Sequence, residues 1–201
     1  MALPASTRPF FLAALVVAGC ATRDPEPLLA PTAGFHRTIA YLDAGTPARV
    51  NTVYAPAEVV ASAEQTAGYL IVRVGVRDRR GEGIAFRVAR AELMPAMVGA
   101  YGYKTELDRT PPAEITYTVQ PPNFVATGSS SWGSYPDWAS KPAGTFALTA
   151  YDAKRRVLSG RFTVSWSNEQ DPLNPVGVYP PRRGDLTLEG TFDNLVIPGV
   201  L

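Results

Sequence analysis

Cysteine and histidine are almost absent from this chain of 201 residues, which contains one of each, Cys20 and His36. A single cysteine cannot form a disulfide within the chain, so stability must come from a packed core. One histidine cannot build a histidine-based metal cage, and with Cys20 as the only thiol in the sequence zinc is close to excluded. The 19 basic and 18 acidic side chains nearly balance, which argues against nucleic-acid binding and against a polybasic membrane patch.

Long hydrophobic runs are also missing. The apolar run at residues 10–18 is too short to cross a bilayer as a permanent helix, which needs about 20 residues. It follows Arg8 and leads through Ala18 and Gly19 directly into Cys20. This order of a positive charge, a short apolar stretch and small residues is typical of a secretory signal peptide.

The stretch Leu15-Val16-Val17-Ala18-Gly19-Cys20 resembles the bacterial lipoprotein signal, which is cleaved before a cysteine whose thiol carries a diacylglycerol. The resemblance implies lipidation of Cys20 and a permanent anchor in the bilayer of the cell envelope, because stable anchoring takes more than one acyl chain. Ala21, where an Asp commonly signals inner-membrane retention, favours the outer membrane. The alternatives are an ordinary signal peptide with a chance cysteine and a buried apolar helix of a cytosolic fold.

The chain therefore divides into three expected parts. Residues 1–20 are the signal ending at the lipidated cysteine, residues 21–33 form a flexible tether with three prolines, and residues 34–201 form one domain. Removal of the signal takes away only the charge of Arg8, so the mature chain has 18 basic and 18 acidic side chains.

Alternating apolar and polar residues dominate the domain and predict β-strands. The clearest hairpin is predicted at residues 69–90, with a turn at 80–83. Two further hairpins are predicted, one joining 100–104 to 115–119 and one joining 144–151 to 157–166. The remaining predicted elements are a final strand at 186–192, shorter strands at 37–42, 50–54 and 124–127, and one short helix at 57–66.

Short strands with Gly/Pro turns and no sustained helical period predict an all-β domain. We expect a single antiparallel β-sandwich or a partly open barrel of about 8–10 strands.

Three motifs at the end of the domain carry a family resemblance: Gly144-Thr-Phe-Ala-Leu-Thr-Ala-Tyr-Asp152, Leu158-Ser-Gly-Arg-Phe-Thr163 and Leu186-Thr-Leu-Glu-Gly-Thr-Phe192. They look like motifs of small all-β cell-envelope lipoproteins, and the resemblance covers residues 69–193. It implies a fold and a location, but it brings no established activity and no catalytic residues.

Candidate catalytic groups are sparse. His36 lies next to the tether, and no Gly-x-Ser-x-Gly elbow accompanies it, so an exposed or capping histidine is the alternative to a catalytic one. Glu82, Asp108, Asp152, Asp171 and Asp185 lie beside turns, where bonding to the local backbone explains them without catalysis. Residues 168–174 offer oxygen ligands for calcium but lack the spacing of an EF-hand loop.

The densest candidate binding segment contains Trp132, Tyr135 and Trp138 with Ser and Asp between them. Such aromatics can stack on sugars or form a hot spot for a protein partner. The alternative is that the tryptophans close one end of the sandwich, since large aromatics are mostly buried. Tyr179, between prolines, marks a second candidate loop. Trp166 alternates with Phe162 and Val164 and is expected in the core.

These observations favour a membrane-anchored, non-enzymatic binding or interaction module of the cell envelope, with no cofactor and no metal. The expected partners are the bilayer, through Cys20, and either a carbohydrate or another envelope protein; nucleic acid is not expected. A structural or accessory subunit of an envelope complex is the main alternative, and a hydrolase is a weaker one.

Overall fold

The chain folds into two antiparallel β-sheets that pack face to face and do not close into a barrel, which confirms the predicted all-β sandwich. The computed structural model describes residues 27–43, 47–77, 81–103, 113–119, 142–171, 173 and 182–198. Of these residues, 68% lie in strands and 5% in short helical turns. Predictions for residues 1–26, the strand at 124–127 and the aromatic loops fall outside the described residues.

One sheet has six strands and the other has four. In spatial order, the six-stranded sheet contains β2 (Arg49–Val53), β1 (Thr32–Tyr41), β10 (Arg183–Val196), β9 (Val157–Gln170), β8 (Ala143–Asp152) and β6 (Gly99–Gly102). The four-stranded sheet contains β3 (Val59–Gln65), β4 (Tyr69–Val76), β5 (Gly83–Ala89) and β7 (Ala113–Thr118). Two 3₁₀ turns, Arg90–Glu92 and Pro95–Met97, lie between β5 and β6.

The core forms where the inward-facing residues of the two sheets meet. In β4, Leu70, Val72 and Val74 are almost fully buried, as the alternation predicts. Phe86 of β5 stacks on Phe146 of β8 with ring centroids 4.5 Å apart. Aromatic contacts of this kind bury large apolar areas and fix how the sheets lie on each other.

Several predicted elements are confirmed. β4 pairs with β5 and β8 pairs with β9, so the hairpins predicted at 69–90 and 144–166 are present. The final strand at 186–192 lies inside β10, and the short strands at 37–42 and 50–54 correspond to β1 and β2.

The helix predicted at 57–66 is wrong, because β3 occupies this stretch and pairs with β4 over its whole length. Alanine and glutamate there have helical propensity, but Val59 and Ala63 are buried against the core. Ladder hydrogen bonds and burial outweigh a preference of a few tenths of a kcal/mol per residue.

The hairpin predicted between 100–104 and 115–119 is also wrong. β6 pairs with β8 in the six-stranded sheet, and β7 pairs with β5 in the other sheet. Tyr101 and Tyr117 therefore enter the core from opposite sheets. Both strands have the same alternation, so their partners are selected by packing across long sequence distances rather than by a local turn.

Two glycines in the motifs of β9 and β10 each lie opposite a phenylalanine. Gly160 pairs with Phe192, and Gly190 pairs with Phe162. A Cβ at Gly160 would lie 2.4 Å from Phe192 Cζ, and a Cβ at Gly190 would lie 2.5 Å from Phe162 Cζ. Each ring therefore occupies the space that a side chain at the opposite glycine would need, which explains the recurring Gly-x-Phe spacing.

The sandwich has two ends, which we name the base and the loop end. At the base, β1 begins at Thr32 and β10 ends at Val196. At the loop end, β1 ends at Tyr41 and β10 begins at Arg183. β1 contains ten residues, so the two ends are separated by about 30 Å at roughly 3.3 Å per residue.

The glycine–phenylalanine packing predicts that Gly160→Ala and Gly190→Ala each lower the free energy of unfolding by about 1–3 kcal/mol, because the new methyl group must displace a buried ring. Urea denaturation measures this change. Gly102→Ala in β6 is the matched control, since nothing lies within 4 Å of a Cβ there. Equal stability of all three variants would show that the rings move aside without cost.

Candidate functional site

The loop end is the candidate functional site, because both predicted aromatic loops connect to it. Trp132, Tyr135, Trp138 and Tyr179 lie outside the described residues. The residues that flank these loops are described: β7 leads into segment 120–141 and β8 follows it, while β9 and β10 flank segment 172–181. β8, β9 and β10 have those termini toward the loop end, and Tyr117, near the end of β7, stacks on Trp166 of β9 in the same half of the domain. Both segments therefore attach to strands in that half.

A buried ion pair lies between the two sheets at Arg37, in the middle of β1. Arg37 of β1 donates from Nη1 to Glu82 Oε2 at 2.5 Å, and its side chain is 3% exposed while that of Glu82 is fully buried. Arg37 also donates from Nη2 to Thr52 Oγ1 at 3.1 Å. The pair connects the six-stranded sheet to the residue that immediately precedes β5 in the four-stranded sheet.

Two tyrosines complete the coordination of the Glu82 carboxylate. Tyr117 donates to Oε1 at 2.8 Å, and the Tyr54 hydroxyl donates to Oε2. Burial is the largest single influence and lowers the pKa of Arg37, but the attraction of Glu82 and the interactions with Tyr117 and Tyr54 together outweigh it, so the pKa of Arg37 is raised. Burial, followed by the charge of Glu82, raises the pKa of the Tyr117 phenol well above its ordinary value. The network therefore holds one ion pair with the Tyr117 phenol un-ionised.

This network stabilises the domain and is not arranged for acid–base catalysis. The Glu82 carboxylate accepts three hydrogen bonds from protein groups and has no exposed surface. A general acid or base must come within hydrogen-bond reach of its substrate. The ring of Tyr117 also stacks on Trp166 with centroids 6.1 Å apart. Trp166 is buried, as the alternation predicts.

A second cluster, at the loop end, joins the residues on both sides of segment 172–181 to the end of β1. Tyr41 donates to Asp171 Oδ2 at 2.7 Å, and the Asp171 backbone N–H donates to the carbonyl of Arg182 at 2.8 Å. The Arg182 guanidinium lies 3.5 Å from the centroid of the Tyr41 ring and forms two hydrogen bonds with Asp43. Burial and the hydrogen bond to Asp171 raise the pKa of Tyr41 to about 12.

The remaining candidate residues are dispersed over the domain. His36 Nδ1 lies 3.5 Å from Glu189 Oε2 at a partly exposed position. Asp152 accepts the backbone N–H groups of Lys154 and Arg155, as expected for a turn carboxylate. Asp185 accepts the backbone N–H of Asn168 at 3.0 Å. Cys20 and Asp108 lie outside the described residues.

Glu82 was predicted to be a turn residue, and that prediction is wrong for its side chain. Gly81 and Gly83 make the position look like a turn, yet Glu82 precedes Ile84 and Phe86 at the spacing of the inward face. Arg37 likewise lies between Phe35 and Ile39 in the inward alternation of β1. Two opposite charges on buried faces would have indicated a pair, although only the fold shows that they meet.

Neither a metal site nor a membrane-spanning helix is found in the part of the chain that the structure describes. No group of three or more His, Cys, Asp or Glu residues there could hold a metal ion. No described helix is long and apolar enough to cross a membrane. Comparisons with protein-family models, with curated proteins and with solved structures find no match to the chain.

Breaking the buried pair is expected to be far more costly than breaking an exposed one. Glu82→Gln keeps the size of the side chain but leaves the Arg37 charge uncompensated, which predicts a loss of about 3–5 kcal/mol in the free energy of unfolding. Glu64→Gln is the matched control, because Glu64 pairs with Arg73 at 3.0 Å with both side chains half exposed. For that variant a loss of about 0–1 kcal/mol is expected. Equal losses in urea denaturation would contradict the stabilising role of the pair.

Proposed function

We propose that this chain is a lipid-anchored protein of the bacterial cell envelope, whose β-sandwich binds a partner at the loop end without catalysing a reaction. The single observation that carries the binding half of the proposal is topological. Segments 120–141 and 172–181, which contain the clustered aromatics, both connect to strands at the loop end. Loops placed together by a rigid sandwich are a common way to build a binding surface.

The direction of β1 supports the anchored arrangement. Cys20 precedes β1 in the chain, and β1 begins at the base and ends at the loop end. A lipid anchor on Cys20 would therefore hold the base toward the bilayer. The loop end would then lie about 30 Å farther out, given roughly 3.3 Å per strand residue. A partner in the envelope could approach that end without competition from the membrane.

The buried contacts beneath the loop end support binding by a preformed surface. The contacts of Tyr41 with Asp171 and Arg182 join β1 to the chain on both sides of segment 172–181, and the Arg37–Glu82 pair joins the two sheets at the middle of β1. A surface that is ordered before binding loses less conformational entropy when the partner arrives.

The chemistry of the two segments indicates two classes of partner. Tryptophan and tyrosine side chains with hydroxyl and carboxylate groups between them suit the apolar faces and hydroxyls of a carbohydrate. The same side chains also suit a buried hot spot against an envelope protein. We favour the carbohydrate as the first probe, because isolated cell-wall polysaccharide is insoluble and can be used directly in sedimentation.

One experiment tests both halves of this proposal in cells that express three forms of the chain. Fractionation of the wild type is expected to place it in the membrane, and Cys20→Ala should appear in the soluble fraction because the acyl chains supply the anchor. Trp132→Ala combined with Trp138→Ala should stay in the membrane. After extraction in detergent, this double variant should sediment less with isolated cell-wall polysaccharide than the wild type does.

The outcomes distinguish the proposed lipid anchor from the proposed binding at the loop end. Tight membrane association of the Cys20→Ala variant contradicts the lipid anchor. Sedimentation that is equal for the wild type and the double tryptophan variant contradicts carbohydrate binding at the loop end. Circular dichroism and thermal unfolding of each variant serve as controls for folding, and a double variant that unfolds assigns the tryptophans to the core.

A further inference from the structure

Exposed apolar side chains concentrate at the base of the sandwich. Seven large hydrophobic side chains are exposed among the described residues, and five of them lie at or beside the base: Leu28, Leu29, Met94, Val98 and Val196. The first two precede β1, the last one ends β10, and the other two lie on the segment that follows β5. Single exposed apolar residues are ordinary, but a group at one end of a domain indicates an interaction surface.

The segment that displays Met94 and Val98 is held in a strained conformation. Ala96 and Met97 have φ angles of 55° and 60°, a left-handed region that residues with a Cβ rarely adopt. The buried Tyr101 holds the segment, because its hydroxyl donates to the Met97 carbonyl at 2.8 Å and accepts the Met94 backbone N–H at 3.2 Å. Strain that a fold maintains in this way is commonly found at functional surfaces.

The length of chain before the sandwich places this surface near the proposed anchor. Pro27, the first described residue, follows Cys20 by only seven positions. Even a fully extended chain of that length spans at most about 25 Å. The acyl chains on Cys20 would therefore keep the base within a short distance of the bilayer. The bilayer would then be the surface that the base contacts most often.

The charges at the base nearly balance, so the apolar side chains dominate its affinity for lipid. Basic groups come from Arg90 and from the β8–β9 turn, which contains Lys154, Arg155 and Arg156. Acidic groups come from Glu92, Asp152 and Asp193. The turn lies beside the exposed valine, because Val196 pairs with Val157 and the Ile197 N–H donates to the Arg156 carbonyl.

We propose that the base is a membrane-contact surface whose exposed apolar side chains enter the interface of the bilayer that holds the acyl chains of Cys20. This inference rests on the proposed lipid anchor and adds an orientation to it. The domain stands on its base with the loop end directed away from the lipid. Apolar side chains at an interface of this kind enter to a depth of about 5–10 Å.

The test uses the full lipidated chain in phosphatidylcholine vesicles that contain nitroxide-labelled lipids. Since lipidation consumes the only native cysteine, an added cysteine is the only thiol available to an environment-sensitive fluorophore. Val98→Cys and Val196→Cys place the label at the base. Val53→Cys in β2 is the matched control, because that valine is 77% exposed and pairs with His36, four residues or about 13 Å along β1 from the base. We expect at least about threefold stronger quenching at positions 98 and 196 than at 53, given the shallow depth of interfacial insertion.

A further pair of variants tests whether the apolar side chains cause the contact. With the label at position 196, Val98→Asp should weaken the quenching and Val53→Asp should leave it unchanged. Adding anionic lipid should change it little, because the charges of the base nearly balance.

Three results would overturn the inference. Equal quenching at positions 98 and 53 would show a domain without a fixed orientation. Stronger quenching at 53 would show a domain lying on its side. A label at 98 that is shielded from the nitroxide and responds to protein concentration would show a second copy of the chain on the base. Flotation of the vesicles reports the anchor independently. A protein that floats with the vesicles but shows no quenching would support the lipid anchor and contradict the proposed orientation.

Discussion

The ion pair between Arg37 and Glu82 is the interaction that links the two sheets through buried charges. The two charges come from different sheets, and both are removed from water. An isolated charge at either position would carry a large desolvation penalty, so each residue requires the other. Tyr54 and Tyr117 donate to the carboxylate and Thr52 accepts from the guanidinium, while Arg37 Nε is buried without a hydrogen-bond partner among the described residues. The two sheets are therefore joined by a directional contact in addition to apolar packing.

The two ends of the domain are consequently different in character. Charged and phenolic groups that bond to one another join the strands at the loop end, where segments 120–141 and 172–181 connect. Apolar side chains face outward at the base, where Tyr101 holds a strained segment against β6 and β8. The two ends therefore present different chemistry, which is consistent with the proposed attachment at the base and the proposed binding at the loop end.

Much of the fold could be predicted from period-two alternation, because burial of one face determines which residues point inward. That signal located β4, β5, β8, β9 and the core position of Trp166. It failed for β3, where helical propensity is locally stronger, and for β6 and β7, whose partners are chosen by packing across distant parts of the chain. The ion pair was missed because glycines flank Glu82, and no local pattern shows which strand brings Arg37 to it.

A double-mutant cycle between Arg37 and Glu82 tests the central claim most directly. Arg37→Met, Glu82→Gln and the combined variant are compared by urea denaturation. The glutamine keeps one oxygen that can accept from one tyrosine, and its amide N–H can donate to the hydroxyl of the other. If the charges hold the sheets together as a pair, the double variant should lose at least about 2 kcal/mol less than the sum of the single losses. Losses that simply add would contradict the account, because they would show that the two charges contribute independently.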